Sequence, residues 1–104
     1  MSARLPDDEL FLARVCKGLG HPARIRILSH LMAEDGCVCG RIVEVMPLAQ
    51  STVSQHLKVL KESGLVRGEV EGPRTCYCVN RDTLTRFAPL VQGLLRAVPE
   101  TEEA

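Results

Sequence analysis

The residues best equipped for chemistry are two Cys-x-Cys pairs, Cys37-Val38-Cys39 and Cys76-Tyr77-Cys78, and a fifth thiol at Cys16. In an extended segment, residues two apart point to the same side. Cys37 and Cys39 therefore share one side of their segment, opposite Val38, and Cys76 and Cys78 share one side of theirs, opposite Tyr77. Polarisable sulfur favours soft ions over magnesium or calcium. Three thiolates suit a trivalent metalloid, and four suit tetrahedral Zn²⁺. The same thiols can instead cycle between dithiol and disulfide. Because metal binding needs deprotonated sulfur, it weakens at low pH. The alternative to each role is packing, since Cys is often a small buried hydrophobe. Cys16, on the apolar stripe of the first predicted helix, reads as a core residue, with a ligand role across a dimer as its alternative. For Cys76 and Cys78, core positions on a strand and ligation are both open. Cys37 and Cys39 read as ligands.

A second group of residues suits DNA. Gln50, Ser51, Thr52, Ser54, Gln55 and His56 put short polar side chains, with no acid among them, at the start of a predicted helix. Gln can bond the N7 and N6 edge of adenine, and Ser, Thr and His can reach bases or phosphates. Lys58 and Arg74 are placed for phosphate or minor-groove contact. The competing interpretation is a solvated helix face that docks protein. Ala49 stands at the expected N-cap and offers no side-chain acceptor, which costs about 1 kcal/mol unless Ser51 takes the role.

The elements that position these groups follow from periodicity and punctuation. Pro6 and the acids Asp7, Asp8 and Glu9 open a first helix, with Leu12, Val15, Cys16 and Leu19 as its apolar stripe. His21-Pro22 starts a second helix through Ala33, with Ile25, Leu28, Leu31 and Met32 inward. His21 and His30 read as structural, the first near a helix start and the second at the surface. Cys37–Cys39 suits a brief β-bridge, and a short helix follows over 40–46. After the turn at Pro47-Leu48, a helix spans 50–63, inward through Val53, Leu57 and Leu60, with Gly64 as its C′ residue. Two strands, 65–70 and 75–79, form a hairpin around Glu71-Gly72-Pro73-Arg74. A last helix over 81–98 carries Leu84, Phe87, Val91, Leu94, Leu95 and Val98, and Pro89 within it predicts a kink or a break. Its wide apolar surface, with Leu10, Phe11 and Leu12, predicts a homodimer interface.

The predicted architecture is mainly α with a small β-hairpin wing: a winged helix-turn-helix with additional N- and C-terminal dimerisation helices. It forms one domain over residues 1–104, with an ordered core over about 10–98 and a tail over 99–104. One hundred and four residues suffice for one core. With 3% aromatics and no Trp, that core is aliphatic. No apolar run reaches the roughly 18 residues of a membrane span, and the acidic N-terminus lacks a signal peptide's apolar region. The expected location is cytoplasmic, where five cysteines point to ligation or redox sensing rather than a structural disulfide framework. The formal net charge is zero, yet residues 50–81 hold Lys58, Lys61, Arg67, Arg74 and Arg81 against three glutamates. A local basic face matters more for DNA than the total. No Cys-x-x-Cys motif, phosphate-binding Gly loop or nucleophile–base constellation suggests an enzyme.

Four segments carry a family resemblance: LGHPARIRILSHL (19–31), CVCGRIVEVM (37–46), QSTVSQHLKVLKESGLV (50–66) and the wing. They resemble the ArsR/SmtB family of metal-responsive repressors, and Cys-Val-Cys resembles its arsenite-sensing branch. The resemblance implies a homodimer that binds double-stranded operator DNA when empty and releases it when As(III) or Sb(III) binds cysteine thiolates. No obligatory cofactor is implied. Two departures stand out. The third cysteine of the best-known arsenite pattern is replaced by Ile42, and the last helix offers Asp82 but no His for the zinc-sensing branch's ligands. In winged-helix folds the bridge before the third helix pairs with the second wing strand. That pairing would make the two Cys-x-Cys pairs neighbours and let a wing cysteine replace the ligand lost at Ile42. The expected ligand set is therefore Cys37, Cys39, Cys76 and Cys78, with Cys16 as the alternative. Ligation would pull Cys37 and Cys39 toward the wing, tilt the short third helix and re-aim the reading helix. Two other readings use the same thiols: a redox- or persulfide-responsive repressor, and a sensor of another soft metal such as Cd, Pb or Zn. A structural zinc-bearing interaction module is the reading outside DNA binding.

Overall fold

A computed structural model describes residues 6–39, 47–71 and 74–96, without the side chains of 70, 71 and 74. The short helix expected over 40–46, and the tail over 99–104, lie outside the described residues. The elements are helices α1 (Asp7–Gly18) and α2 (Pro22–Ala33), strand β1 (Cys37–Cys39), helix α3 (Gln50–Glu62), strands β2 (Val66–Glu71) and β3 (Arg74–Val79), and helix α4 (Arg81–Arg96). The strands form one antiparallel sheet in the order β1-β3-β2. Four described helices, with the β2–β3 hairpin as a wing directly after α3, make a winged helix-turn-helix fold.

Helix α1 buries Phe11, Val15 and Gly18, spaced i, i+4, i+7. That face lies one residue off the predicted stripe, so Cys16 is exposed and Leu12 only half-buried, contrary to the core role expected for Cys16. Phe11 is likewise a core residue rather than part of an interface, with the Arg86 guanidinium 4.0 Å from its ring centroid. On α2 the buried face is Ala23, Ile27 and Leu31, whereas Ile25 and Met32 are about half exposed. His21 is the N-cap of α2, its Nδ1 accepting the Ala23 N–H at 3.0 Å.

The C-terminus of α3 is a Schellman motif. Gly64, at φ 86°, donates its N–H to Lys61 O, and the Leu65 N–H reaches Leu60 O at 3.0 Å. Leu65 is thereby buried completely, and its own carbonyl accepts the Asn80 N–H at 2.9 Å. Val53, Leu57 and Leu60 face inward as the sequence predicts, joining Val15, Ile27, Leu31, Val66 and Val79 in one aliphatic core. Asn80 precedes helix α4, its side chain accepting the Thr83 N–H, and the helix runs unbroken from Arg81 through Pro89 to Arg96. Of the kink or break predicted at Pro89, the break does not occur, although the ring removes the N–H that would bond Thr85 O. Thr83, nearly buried, donates its Oγ1 hydrogen to Gly64 O at 2.7 Å and so ties α4 to the end of α3. Toward its other end α4 leaves Leu94 and Leu95 62% exposed.

Candidate nucleic-acid interface and thiol site

Helix α3 starts at Gln50 after Ala49, which provides no side-chain cap, and Ser51 does not take the role. With Val53, Leu57 and Leu60 turned inward, Gln50, Ser51, Ser54, Gln55 and Lys58 are exposed along the opposite face, and Thr52 is half-buried. His56 departs from the sequence expectation. Its ring is turned toward α2, 4.4 Å from the ring of His21, and half-buried. The Arg24 Nη1 lies 3.3 Å from its Nδ1. A guanidinium only donates, so Nδ1 of His56 accepts and the ring proton sits on Nε2. Burial first, then His21 and Arg24, push the His56 pKa below its ordinary value.

Arg24 is the residue that motif reading missed. It also donates to Gly18 O at 2.7 Å and Lys17 O at 3.3 Å, satisfying the last carbonyls of α1. One side chain thus joins α1, α2 and α3. The signal available was a charged residue directly after Ala23, at the start of an apolar helix. Lys58 and Lys61 line a cleft of about 220 Å³ between α3 and the wing, together with Thr75 and Tyr77. Arg74 opens β3 at the hairpin, and its side chain lies outside those described.

On the sheet, β1 pairs with β3 in the register Cys37↔Cys78, Val38↔Tyr77, Cys39↔Cys76. The Val79 N–H donates to Gly36 O, so Cys37–Cys78 and Cys39–Cys76 are the narrow, non-hydrogen-bonded pairs, with Cα atoms 4.0 Å apart in each. Both pairs are disulfide-bonded, a bridging that composition alone argued against. Val38 and Tyr77 pack on the core, so all four sulfurs occupy the sheet's other face. Cys76 and Cys78 are buried there at 4% and 5% exposure, apart from the aliphatic cluster around Ile27 and Leu60, while Cys37 and Cys39 are exposed. Cys16 is free and sits on α1, apart from this sheet.

The third strand completes the thiol face. Arg67 stands opposite Cys78 and Glu69 opposite Cys76, so two rows cross the sheet: Cys37–Cys78–Arg67 and Cys39–Cys76–Glu69. Arg67 and Glu69 are 3.9 Å apart, both more than half exposed. A cleft of about 320 Å³ opens beside Cys37, lined by Asp35, Arg67, Arg81 and Asp82 among others.

Comparison with known proteins places this arrangement. Residues 19–69 match a family model described as a helix-turn-helix domain. The chain is 37% identical over 84 residues to an uncharacterized HTH-type transcriptional regulator of Methanocaldococcus jannaschii, covering 79% of this chain and 92% of that one. It is 38% identical over 89 residues to the HTH-type transcriptional regulator CmtR of Mycobacterium tuberculosis, covering 84% and 74%. Its fold matches a homodimeric winged helix-turn-helix DNA-binding domain of Mycobacterium bovis, a possible ArsR-family regulator, with TM-score 0.60 and 26% identity over 100% of this chain and 99% of that one. The chain belongs to the ArsR/SmtB family. Its relatives are helix-turn-helix transcriptional regulators, and the chain is a DNA-binding transcriptional regulator rather than an enzyme. No described helix is long and apolar enough to cross a membrane.

Proposed function

We propose that this ArsR/SmtB regulator is a repressor whose hold on operator DNA is set by the oxidation state of its two cross-strand cysteine pairs. The observation that carries the reading is the register: each cysteine of β1 stands directly opposite one of β3, 4.0 Å away at Cα, and is joined to it. In the cytoplasm, where a DNA-binding repressor works, protein disulfides are usually transient and signal-bearing. In the proposed cycle the reduced homodimer binds two half-sites, and oxidation ties β1 to the wing. Because β1 leads into the segment before α3, a fixed β1–β3 separation alters the angle between wing and reading helix. Half-sites lie one helical turn apart, so small rotations spoil simultaneous docking. A coupling of about 1–3 kcal/mol would lower affinity some 5- to 150-fold. The exposed Leu10, Leu94 and Leu95, on helices α1 and α4 that pack on each other, supply an apolar surface for the dimer.

A second reading uses the same sulfurs when reduced. Four thiols on one sheet face, two of them exposed, can ligate As(III) or Sb(III) through three sulfurs, or Cd, Pb or Zn through four. The geometry favours it less. A third sulfur lies along a strand, about 7 Å away at Cα, and must lean in, whereas pairwise bridging needs no movement.

Fluorescence anisotropy on a labelled duplex from upstream of the protein's own coding sequence tests both. Binding by reduced protein, loss with diamide and recovery with dithiothreitol are expected, with the diamide response abolished in Cys37→Ser/Cys39→Ser. Equal affinity of oxidised and reduced protein, with release by arsenite alone, would replace the redox reading by the metalloid one.

A further inference from the structure

The two disulfides are chemically unequal. Cys37 and Cys39 are exposed, and Cys78 and Cys76 behind them are buried, so an incoming thiolate meets the β1 sulfur of either pair first. In thiol–disulfide exchange the rate depends on access and on how well the expelled sulfur carries negative charge. Attack on Cys37 expels the Cys78 thiolate, whose cross-strand neighbour is Arg67; attack on Cys39 expels the Cys76 thiolate, whose neighbour is Glu69. Directly opposed residues of this kind have Cα atoms about 5.5 Å apart, close enough for the guanidinium to stabilise one leaving thiolate and the carboxylate to oppose the other.

The surroundings of the first pair add a place for the reagent. The cleft of about 320 Å³ reaches Cys37 and carries the guanidinium-bearing Arg67 and Arg81 together with the carboxylate-bearing Asp35 and Asp82. Arg81 is held across its rim by donating to the Asp35 carbonyl at 3.4 Å. Charges of both signs around an exposed sulfur match a thiol that itself carries a carboxylate and an ammonium group.

We infer that Cys37 is the entry point for a small amino-acid thiol, such as cysteine or glutathione, and that Cys37–Cys78 opens before Cys39–Cys76. In the first step the reagent thiolate bonds to Cys37 Sγ, the Cys37–Cys78 bond breaks, and its electron pair leaves on Cys78. In the second, another reagent thiolate attacks the reagent's own sulfur in the mixed disulfide. The low-molecular-weight disulfide departs and Cys37 keeps the electron pair. Two reagent thiols are oxidised as one protein disulfide is reduced, and oxidation runs the same path backward. This inference rests on the reading of the cysteine pairs as the switch.

The test begins with oxidised protein and adds glutathione, cysteine or uncharged 2-mercaptoethanol at matched thiolate concentration. Samples are quenched with acid and N-ethylmaleimide and mapped by peptide mass spectrometry, with operator anisotropy followed in parallel. The first product expected carries the reagent on Cys37 and maleimide on Cys78, with Cys39–Cys76 intact. The amino-acid thiols should react on the order of three- to tenfold faster than 2-mercaptoethanol. The double swap Arg67→Glu/Glu69→Arg should reverse the order. Opening of Cys39–Cys76 first, simultaneous opening, an adduct on Cys78, or an order unchanged by the swap would overturn the inference. Ordered opening with unchanged operator affinity would uphold it and discard the switch. A DNA response without order would do the reverse.

Discussion

The Arg24 guanidinium reaches across 32 residues of sequence to the ring of His56, Nη1 standing 3.3 Å from Nδ1. The same side chain holds the last carbonyls of α1, so α3 is braced against a helix terminus rather than by core packing alone. Arg24→Ala removes this brace. It should cost about 1–3 kcal/mol in urea unfolding, since charge-assisted bonds are lost and the Gly18 carbonyl is left without its partner. It should also weaken operator binding measured by anisotropy, while Arg26→Ala serves as the control on the same helix.

The pH dependence of stability follows from His56. Its folded pKa is lowered by burial, then by His21 and Arg24, so the unfolded chain binds the proton more readily. Stability is therefore full above the unfolded value near 6.5, falls as pH drops below it, and levels off below the folded pKa. Urea midpoints between pH 7.5 and 5 should show that decline. His56→Gln, which keeps a polar side chain and removes the titration, should flatten it.

The two bridges span 41 and 37 residues, one nested inside the other, so their stabilising effects do not add. Closing a loop of about 37 residues stabilises by roughly 4 kcal/mol in the chain-entropy model. The second bridge then closes only the short ring between the two ladder rungs. Dithiothreitol should lower the unfolding free energy by about that amount. Cys37→Ser/Cys78→Ser, with the inner bridge intact, should retain most of it. A loss of about half the total on removing either bridge alone would contradict nesting.

A close approach of α1 to the end of α3 predicts a sensitive position. A Cβ at Gly18 would collide with the Oγ and Cβ of Ser63, and Ser63 is buried and donates to Leu60 O at 2.8 Å. Gly18→Ala should cost about 1–3 kcal/mol through overpacking, despite the higher helix propensity of Ala. Gly93→Ala, where a Cβ meets nothing within 4 Å, should be neutral or slightly stabilising on the same assay.

What was legible in the sequence follows from how local the determinants are. The α3 face, the Gly64 cap and the hairpin at 71–74 come from residues within one turn or one loop, and the structure reproduces them. The β1–β3 adjacency was reachable from the fold type, and the alternation of both Cys-x-Cys segments then turned all four sulfurs to one face. Pairing Glu71 with Arg74 fixes Arg67 opposite Cys78 and Glu69 opposite Cys76, yet the sequence reading did not carry the register that far. The misses on α1 and α2 share another cause. Stripes containing Cys16, Ile25 or Met32 are as apolar as the buried ones, and only the packing partner chooses between them. His56 escaped because its partners, His21 and Arg24, lie on another helix.

The bond from Thr83 to the Gly64 carbonyl gives α4 a mechanical role. Sixteen residues of helix make a rod about 24 Å long, pinned at one end to the end of α3 and carrying Leu94 and Leu95 near the other. Pivoting such a rod by some 5° moves its far end about 2 Å. In the proposed dimer, the crossing angle of two such levers would therefore set the distance between reading helices, and any change of pitch at the wing need only be small to be felt across the whole operator.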